Sequence, residues 1–367
     1  MRFEIQRETL TAALQAIAGV VERRQTLAVL GNIRVEASGD DTIRLTATDL
    51  EVELITWAAC SVTASGAITL PARKWLDICR NLPEGATIEL AVEGDRATLR
   101  AGKSRFSLAT LPAEEFPEID SIGDAEGLEL PRVELRRLIE RTHFSMAQHD
   151  VRYYLNGLLM AVNSRGARAV ATDGHRLALA ETQVPIELHE PRQVIVPRKG
   201  VHEILRLLDE EEEPATVRFG ENHIQVQAQG VQLTSKLIDG QFPDYQRVLP
   251  SGGEQNLYVE RQALRQTLTR VAILSNEKYR GVRLTVEAGR LWVASHNPEQ
   301  EEAEEELDVE FDGQPVELGF NANYLLDALG AMGTERVHIT LTDASSSALL
   351  RPEGNDQVRY VIMPMRL

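Results

Sequence analysis

The chain has 367 residues, of which 43% are hydrophobic, and its formal net charge is −17. This length predicts two to three domains, and the acidic total, averaged over the chain, argues against a nucleic-acid partner. We find no apolar run typical of a signal peptide or a membrane span, and Cys60 and Cys79 have no metal or redox spacing, so we expect a cytoplasmic protein without membrane contact.

The first predicted elements alternate between helix and strand. Apolar residues at spacings of four, three and four lie on one helix face, and they are Leu10, Leu14, Ile17 and Val21. A second helix is predicted over 71–81. Short alternating strands surround it, over 33–37, 42–47, 50–54, 86–92, 97–101 and 105–109. Helices packed on one face of antiparallel sheet form an α+β fold.

The same pattern then occurs twice more. Thr48-Asp49, Thr172-Asp173 and His296-Asn297 each close an alternating run, and their second residues are 124 positions apart. This period is longer than the 20 to 50 residues of a solenoid repeat. It predicts three tandem copies of a whole domain, with boundaries at 1–124, 125–250 and 251–367, where the composition becomes polar and rich in glycine.

Charge is distributed unevenly along the chain. Six predicted helical windows hold 16 Lys and Arg against 8 Asp and Glu, whereas the rest holds 23 basic and 48 acidic residues. Phosphate binding needs positive charge and no base contacts, so the helices are predicted to bind a nucleic-acid backbone. A solvated helix face is the alternative. The windows are 6–24, 71–81, 131–142, 197–208, 260–272 and 320–331.

Motifs for catalysis and for metal binding are nearly absent. The chain has no phosphate-binding loop, no zinc-type His or Cys spacing and no nucleophile elbow. Asp173 and His175 are the one candidate general-base cluster and leave an acidic hydrolase as an alternative. A turn at a strand end, in which Asp173 binds backbone groups, is the structural interpretation. Asp49 has the same repeat position without a histidine beside it, so we expect the turn, no enzyme, no cofactor and no metal.

Two segments have complementary charge. The run Glu299–Glu306 of the third copy is acidic, whereas Lys103-Ser104-Arg105-Phe106 of the first copy is basic with one aromatic ring. If they meet between chains, the contact is head-to-tail and must close into a ring or grow. A filament-forming scaffold is therefore a further alternative. The last residues, Val361–Leu367, are rich in apolar side chains and predict an adaptable surface for peptide partners beyond a core strand.

Five segments spread over the chain resemble the bacterial sliding clamps, the beta subunits of the replicative DNA polymerase. They are Asp150–Gly157, Ala171–Ala178, Ser275–Gly281, Asn297–Glu305 and Met363–Leu367. The resemblance implies three clamp domains per chain and a ring-shaped, head-to-tail homodimer, with helices lining a central hole and antiparallel sheets on the outer rim. Such a ring encircles double-stranded DNA without sequence preference, confers processivity on the polymerase and has no catalysis of its own.

The resemblance also implies partners and site residues. The clamp loader, the polymerase alpha subunit, and repair and translesion polymerases are expected to dock through short peptides, in the bacterial cytoplasm at the nucleoid. The implied peptide-binding groove comprises Leu155, Thr172, Gly174, His175, Arg176, Leu177, Pro243, Arg247, Val248, Val361, Met363, Pro364, Met365, Arg366 and Leu367. The implied DNA contacts are Arg24, Arg73, His149, Tyr153, Tyr154 and Lys199. The implied dimer interface comprises Lys103, Arg105, Phe106, Ile273, Leu274, Glu301, Glu302 and Glu304.

The chain departs from the family pattern at two positions. His149 stands where the family often has glutamine, which weakens the inference of a DNA contact there. Ala28 stands where a proline is usual, which we expect to affect local stiffness only.

Overall fold

Six α-helices form at the six predicted positions. The computed structural model describes residues 1–21, 27–120, 122–123, 125–188, 190–209, 213–250, 255–343 and 345–366. In this part of the chain the helices are α1 (Arg7–Ile17), α2 (Ala72–Asn81), α3 (Arg132–Glu140), α4 (Arg198–Leu207), α5 (Arg261–Val271) and α6 (Ala322–Ala331). Leu10, Leu14 and Ile17 are buried on one face of α1, as their spacing predicts.

The described residues also form 25 strands. Those of the first copy are β1 (Arg2–Gln6), β2 (Asn32–Ala37), β3 (Thr42–Thr48), β4 (Val52–Ala59), β5 (Ser61–Ala64), β6 (Gly66–Pro71), β7 (Thr87–Glu93), β8 (Arg96–Ala101) and β9 (Ser104–Ala109). Those of the second copy are β10 (Gly127–Pro131), β11 (Gly157–Asn163), β12 (Gly166–Thr172), β13 (Arg176–Glu181), β14 (Arg192–Pro197), β15 (Pro214–Phe219), β16 (His223–Ala228) and β17 (Val231–Lys236). Those of the third copy are β18 (Gln255–Glu260), β19 (Gly281–Glu287), β20 (Arg290–His296), β21 (Glu302–Asp308), β22 (Val316–Asn321), β23 (Arg336–Leu341), β24 (Ala348–Pro352) and β25 (Val358–Ile362).

The predicted third strand of the first copy is displaced. It was expected over 50–54, but β4 begins at Val52 because Thr48, Asp49 and Leu50 form a turn. The first five residues of β4 are all buried. Helix α1 packs against this strand, and the Ile119 N–H contacts its Glu53 from another segment, so the simple alternation of a half-exposed strand is lost.

The chain divides into two compact units, each with two antiparallel sheets. The first comprises Met1–Val133 and Lys199–Leu237, and the second comprises Glu134–Arg198 and Ile238–Leu367. The first unit has a five-stranded sheet, β5-β1-β7-β8-β9, and an eight-stranded sheet, β10-β15-β16-β17-β4-β3-β2-β6. The second has an eight-stranded sheet, β14-β11-β12-β13-β25-β24-β23-β18, and a four-stranded sheet, β21-β20-β19-β22. The predicted α+β class is confirmed.

The eight-stranded sheets join successive copies by one rule. The third strand after the first helix of a copy pairs with the third strand after the second helix of the next copy. In the first unit this pair is β4 with β17, and in the second it is β13 with β25. Two strands have no partner of this kind within the chain. They are β21, because no fourth copy follows the third, and β9, because no copy precedes the first. Each ends its sheet, with one partner strand among the described residues.

Each copy begins its first helix with an arginine that binds backbone carbonyls at or beyond the end of its second helix. The bonds run from Arg7 to the carbonyls of Cys79 and Arg80 (3.1 and 3.0 Å), from Arg132 to that of Glu213 (2.8 Å), and from Arg261 to those of Leu329 and Thr334 (3.1 and 2.7 Å). The last carbonyls of a helix lack intrahelical partners and carry partial negative charge. A guanidinium group donates hydrogen bonds to such carbonyls and also offsets their negative charge.

These three arginines correct the interpretation of the helical charge. Arg132 is fully buried and also forms an ion pair with Asp209 at 3.0 Å. Arg132 thus ties the start of α3 to the segment after α4, whereas Arg7 and Arg261 join the two helices of their own copies. Part of the basic charge counted in the helical windows is thus engaged in the fold, and the count overstates what is left to bind phosphates.

Candidate partner-binding sites

The repeated Asp position forms the same turn in the first two copies. The Oδ1 atoms of Asp49 and Asp173 each accept the backbone N–H groups two and three residues further on, at 3.0 and 2.8 Å and at 2.9 and 3.0 Å. The next residue has a left-handed backbone in both, with φ of 80° at Leu50 and 88° at Gly174. In the third copy Asn297 accepts the N–H of Glu301 instead. The structural interpretation of Asp173 is confirmed.

The hydrolase alternative is not supported. The second carboxylate oxygen of Asp173 accepts a hydrogen bond from Nε of Arg176 at 3.1 Å, while the His175 side chain is exposed. No group of three or more potential metal ligands converges within the described residues. Cys79 is buried, and burial raises the pKa of its thiol to about 12, so it stays protonated and unreactive.

An apolar cluster, which we call the groove floor, brings several predicted groove residues together. It contains Leu177 and Val361, which face each other across β13 and β25, and Val248 packs against it. Its other members are Leu159, Val170, Leu179, Ile195, Phe242 and Leu349. The floor thus combines strands of the second and third copies with the segment that follows β17.

We call the segment beyond β25, residues 363–366, the wall; it runs from the turn of the second copy to β22. The N–H of Met363 donates to the carbonyl of His175 at 3.0 Å, and the N–H of Met365 donates to the carbonyl of Gly319 at 2.8 Å. Val361 is fully buried, whereas the Met363 side chain is 39% exposed. The buried strand therefore gives way to an exposed side chain at Met363, and Met365 and Arg366 line a separate cavity with third-copy residues such as Tyr279. Leu367 lies outside the described residues.

Other predicted groove residues frame the floor in different ways. Thr172 ends β12, and its hydroxyl donates to the carbonyl of Arg176 at 2.6 Å. Leu155 is buried, whereas Pro243 is exposed. Arg247 is also exposed and forms an ion pair with Asp244 at 2.9 Å, a pair that solvent screens strongly.

The Arg176 guanidinium contacts several fixed groups. Its guanidinium bonds Asp327 at 2.6 Å and the carbonyl of Phe144 at 2.7 Å, in addition to Asp173. Its Cζ atom also lies 4.5 Å from the ring centroid of Tyr324. A guanidinium with so many fixed partners positions other groups. We therefore assign Arg176 to fixing the start of β13 against α6, which brings Tyr324 to this region.

Sequence reasoning missed Arg152 and the aromatic residues at the groove. Arg152 makes a two-pronged contact with Asp150, at 3.0 and 2.8 Å, which lowers the pKa of Asp150 to about 2. A Cβ atom on Gly174 would lie 2.9 Å from the end of the Arg152 side chain. Glycine suits the positive φ of this position, although Leu50 adopts it in the first copy. Tyr245 packs on the groove floor and donates no bond to it; its hydroxyl accepts from Arg168 at 2.7 Å.

A repeated motif could have revealed the aromatic part of the groove. Phe116-Pro117-Glu118 in the first copy matches Phe242-Pro243-Asp244 in the second. Phe116 and Phe242 are both buried in apolar clusters. The match implies that Phe242 belongs to the groove framework along with Pro243.

The predicted DNA contacts have different surroundings. Tyr153 is 58% exposed, and the exposed His149 has a positive φ of 56°. Tyr154 instead packs against the groove floor, with its ring 5.9 Å from that of Tyr153. Among these three, the structure therefore favours Tyr153 and His149 for contact with a macromolecule, and it links Tyr154 to the groove.

Arg73 and Lys199 are the second residues of α2 and α4. Arg73 is exposed, whereas Lys199 is partly buried and its ammonium forms an ion pair with the buried carboxylate of Asp49. A phosphate that approaches Lys199 must share it with Asp49. Arg24 lies outside the described residues.

The predicted interface residues lie on the two leftover edge strands or in segments beside them. Arg105 and Phe106 are on β9, with Lys103 just before it, and Glu302 and Glu304 are on the exposed face of β21, with Glu301 before it. Ile273, beside Leu274 in the turn after α5, exposes 71% of its surface. Glu305 is turned the other way and binds Arg270 at 2.6 Å. The β9 edge therefore combines unpaired backbone groups with Phe106 and positive charge. The β21 edge combines them with the nearby Ile273 and negative charge.

The chain is similar to known proteins over its whole length. Family profiles described as the N-terminal, central and C-terminal domains of the DNA polymerase III beta subunit match residues 1–120, 129–244 and 246–366. The beta sliding clamp of Pseudomonas putida is 52% identical over 368 residues, which is 100% of both chains. A crystal structure of the DNA polymerase III subunit beta from Pseudomonas aeruginosa matches with a TM-score of 0.97 and 50% identity over 100% of both chains. A Pseudomonas aeruginosa sliding clamp solved bound to griselimycin matches over the same extent with a TM-score of 0.95.

Proposed function

The chain belongs to the DNA polymerase III beta subunit family, and from this premise we propose that two copies of it close head to tail into a ring around duplex DNA. The protein is a DNA sliding clamp for the polymerase, built from three tandem clamp domains. It is a processivity factor and has no catalytic activity. We set the domain boundaries at 1–124, 125–250 and 251–367.

The observation that carries the ring is the pair of leftover edge strands. The pairing rule joins β4 to β17 and β13 to β25. By the same rule, β21 of the third copy should pair with the third strand after the second helix of another copy. The only such strand left over among the described residues is β9 itself. Pairing β21 of one chain with β9 of another repeats the rule between chains, and a second identical contact closes two chains into a ring.

Electrostatics supports the same contact. β9 and the residue before it carry Lys103 and Arg105, and the exposed face of β21 carries Glu302 and Glu304. Opposite charges favour this pairing, whereas two β9 edges or two β21 edges would repel. Exposed backbone edges otherwise invite uncontrolled association, so a closed ring also removes an aggregation hazard. Phe106 and Ile273 supply the apolar part of the interface.

Helices facing the hole would contact the phosphates of the encircled duplex. Arg73, Arg24 and the exposed Tyr153 and His149 are the proposed contacts, with Lys199 shared between phosphate and Asp49 and with Tyr154 behind Tyr153. Backbone contacts select no sequence, and the acidic remainder of the chain disfavours DNA elsewhere. Retention therefore depends on topology, and the ring can slide.

Partner proteins would dock in the groove through short peptides. The polymerase is a partner of the family, and we further propose that the clamp loader and the repair and translesion polymerases use the same groove, in the cytoplasm. Burial of about three apolar side chains, at about 1.5 to 3 kcal/mol each before ordering costs, suits a micromolar and exchangeable contact. No helix of the described chain is long and apolar enough to cross a membrane.

Processive DNA synthesis tests this function. We expect product lengths on a primed single-stranded circle to increase many-fold when the chain and a clamp loader are added to the replicative polymerase. Product lengths that are unchanged, with a clamp from a known relative active in parallel, would contradict the proposal.

A further inference from the structure

A cavity of about 950 Å³ opens on the four-stranded sheet of the third copy. Arg283 of β19 and Ala294 of β20 line it, together with Tyr279, Met365 and Arg366. Its volume lies within the range of about 300 to 1,000 Å³ that is typical of ligand pockets. None of these five residues belongs to the cluster that forms the groove floor, so the cavity is a separate site.

Strand register relates this cavity to a place in the first copy. Arg283 faces Ala294 across β19 and β20, and Arg34 faces Thr46 across β2 and β3. Thr46 and Ala294 are 248 positions apart, which is two periods of 124. Arg283 therefore has the repeat position of Arg34.

The segment that follows the last strand of each copy contacts the same register. In the first copy the N–H of Thr69 on β6 donates to the carbonyl of Leu111 at 3.0 Å. In the third copy the carbonyl of Gly319 on β22 accepts the N–H of Met365 at 2.8 Å. Thr69 and Gly319 each face the arginine of their own copy. Met365 therefore has the repeat position of Leu111.

In the first copy a phenylalanine of the same chain is buried at this place. Phe116 is 4% exposed and packs in one apolar cluster with Leu30 and Leu111. Tyr279 corresponds to Leu30, because each lies two residues before the first strand that follows the first helix of its copy. In the third copy Tyr279 is 54% exposed, and no phenylalanine of the described chain lines the cavity. Tyr279 and Met365 therefore line the cavity at the two positions that contact Phe116 in the first copy.

The charge at this register matches as well. Arg34 forms an ion pair with Glu118, which lies two residues after Phe116. Arg283, at the same repeat position, pairs among the described residues with the exposed Glu317 at 3.5 Å. Solvent screens such a pair strongly, so Arg283 can bind another acidic group.

The acidic residues of the cavity lie on its other side. Glu302 and Glu304 of β21, which we propose for the dimer interface, also line it. Glu304 faces Ala294 and lies two strands from Arg283, at a spacing of about 10 Å. The side of the cavity near Arg283 is therefore positive.

We propose that this cavity binds an extended peptide in which an aromatic residue is followed, two positions later, by an acidic residue. The aromatic ring packs against Tyr279 and Met365, and the carboxylate pairs with Arg283. Such a peptide, supplied by a partner protein, repeats the contacts that Phe116 and Glu118 make in the first copy. The inference goes beyond the proposed function, because all the residues that carry it belong to one chain and do not depend on ring closure.

The probe is a labelled peptide with the sequence of residues 112–120 of the chain itself, Pro-Ala-Glu-Glu-Phe-Pro-Glu-Ile-Asp. Fluorescence anisotropy measures its binding to the full chain, and we expect binding to saturate. Arg283→Glu is expected to weaken binding roughly ten-fold, and alanine in place of the phenylalanine of the probe is expected to do the same. The control Arg290→Glu makes the same change of charge at an exposed position of β20 and is expected to bind like the wild type.

A second probe carries arginine at the position of Glu118. It is expected to bind Arg283→Glu more tightly than it binds the wild type, because the exchange restores opposite charges. Equal effects of Arg283→Glu and Arg290→Glu on the first probe would overturn the assignment of Arg283. Failure of the first probe to saturate the wild type would overturn the site.

Competition separates this site from the groove. An unlabelled clamp-binding peptide of the polymerase, added at saturating concentration, is expected to leave the probe bound. Displacement of the probe would place it in the groove and overturn the second site. Failure of the polymerase peptide itself to bind would contradict the proposed function and leave the result of the probe titration as the test of this cavity.

Discussion

The backbone N–H of Met363 donates to the carbonyl of His175 at 3.0 Å, which fixes the last segment of the chain against the turn of the second copy. In the first unit the N–H of Lys236 donates to the carbonyl of Glu51 at 2.9 Å in the same way. Glu51 and His175 are 124 residues apart, so Lys236 has the repeat position of Met363. The junction in the second unit therefore carries the thioether of Met363, whereas that in the first unit carries the ammonium group of Lys236. This difference explains why the apolar peptide site is proposed in the second unit only.

Removal of the wall tests its role. Deletion of residues 363–367 is expected to lower affinity for a polymerase clamp-binding peptide by about 100-fold, because it removes apolar contacts worth about 3 kcal/mol. The deletion leaves β25 intact through Ile362, so the chain is expected to keep its fold and its dimer. Calorimetric titration measures the affinity, with Leu27→Ala as a control that removes another exposed apolar side chain. Peptide binding that survives the deletion would contradict the assignment of the groove.

The repeated helix-end arginines predict a graded loss of stability. Arg132→Met leaves Asp209 without its buried cation and the Glu213 carbonyl without a donor, at a cost of about 3 kcal/mol. Arg261→Met loses carbonyl contacts, and Arg7→Met loses carbonyl contacts and a half-exposed ion pair with Glu8. Each is expected to cost about 1 to 2 kcal/mol. Urea unfolding gives the order. If Arg132→Met costs no more than the control Arg192→Met, which changes an exposed arginine, the buried arginine does not stabilise the fold.

Glu53 predicts a dependence of stability on pH. Burial raises the pKa of Glu53 above its ordinary value, against the opposing hydrogen bond from the Ile119 N–H. Since the folded pKa exceeds that of the unfolded chain, the contribution of this group is complete below the unfolded pKa and is lost as pH rises through the folded pKa. Glu53→Gln, which stays neutral, is therefore expected to gain stability relative to wild type between pH 4 and about 8. Urea unfolding at both ends of this range, with exposed Glu51→Gln as the control, checks it. An equal difference at both pH values would exclude Glu53 as the cause.

The edge strands predict a charge-swap experiment. Arg105→Glu places an acidic group on β9 opposite the acidic β21 and is expected to weaken the dimer by at least about ten-fold. Glu304→Arg is expected to do the same alone, and an equimolar mixture of the two variants is expected to restore part of the association. Sedimentation equilibrium measures both. Dimers of unchanged affinity in each single variant would place the interface elsewhere.

The repeat made much of this architecture predictable. Spacing alone located all six helices, the strand-end turns at Asp49 and Asp173, and the change from core to exposed wall after Ile362, because these depend on periodicity and on residues close in the chain. The identity of the buried arginines could not be predicted, since Arg7 and Arg132 bind carbonyls more than 70 residues away. A basic residue on a helix looks the same in the sequence whether it binds a phosphate or a helix end.

The sites were predictable to different degrees. The resemblance supplied Leu177, Val361 and Val248, which the structure brings to one floor. It also placed Tyr154 among the DNA contacts. In the structure this ring packs against the groove floor at the start of the four-residue 3₁₀ turn Tyr153–Asn156, a contact between distant segments that the sequence does not reveal. Strand pairing between copies, which explains the leftover edges of β9 and β21, depends on contacts more than 170 residues apart and has no local signal.

Release from DNA tests the ring most directly. The chain is loaded onto a nicked circular duplex, the unbound protein is removed, and the bound fraction is followed over time before and after one restriction enzyme opens the circle. Because affinity for the backbone is weak at moderate salt and topology supplies the retention, the account predicts long-lived binding to the circle and rapid loss after linearisation. Equal rates of release from circular and linear DNA would contradict it.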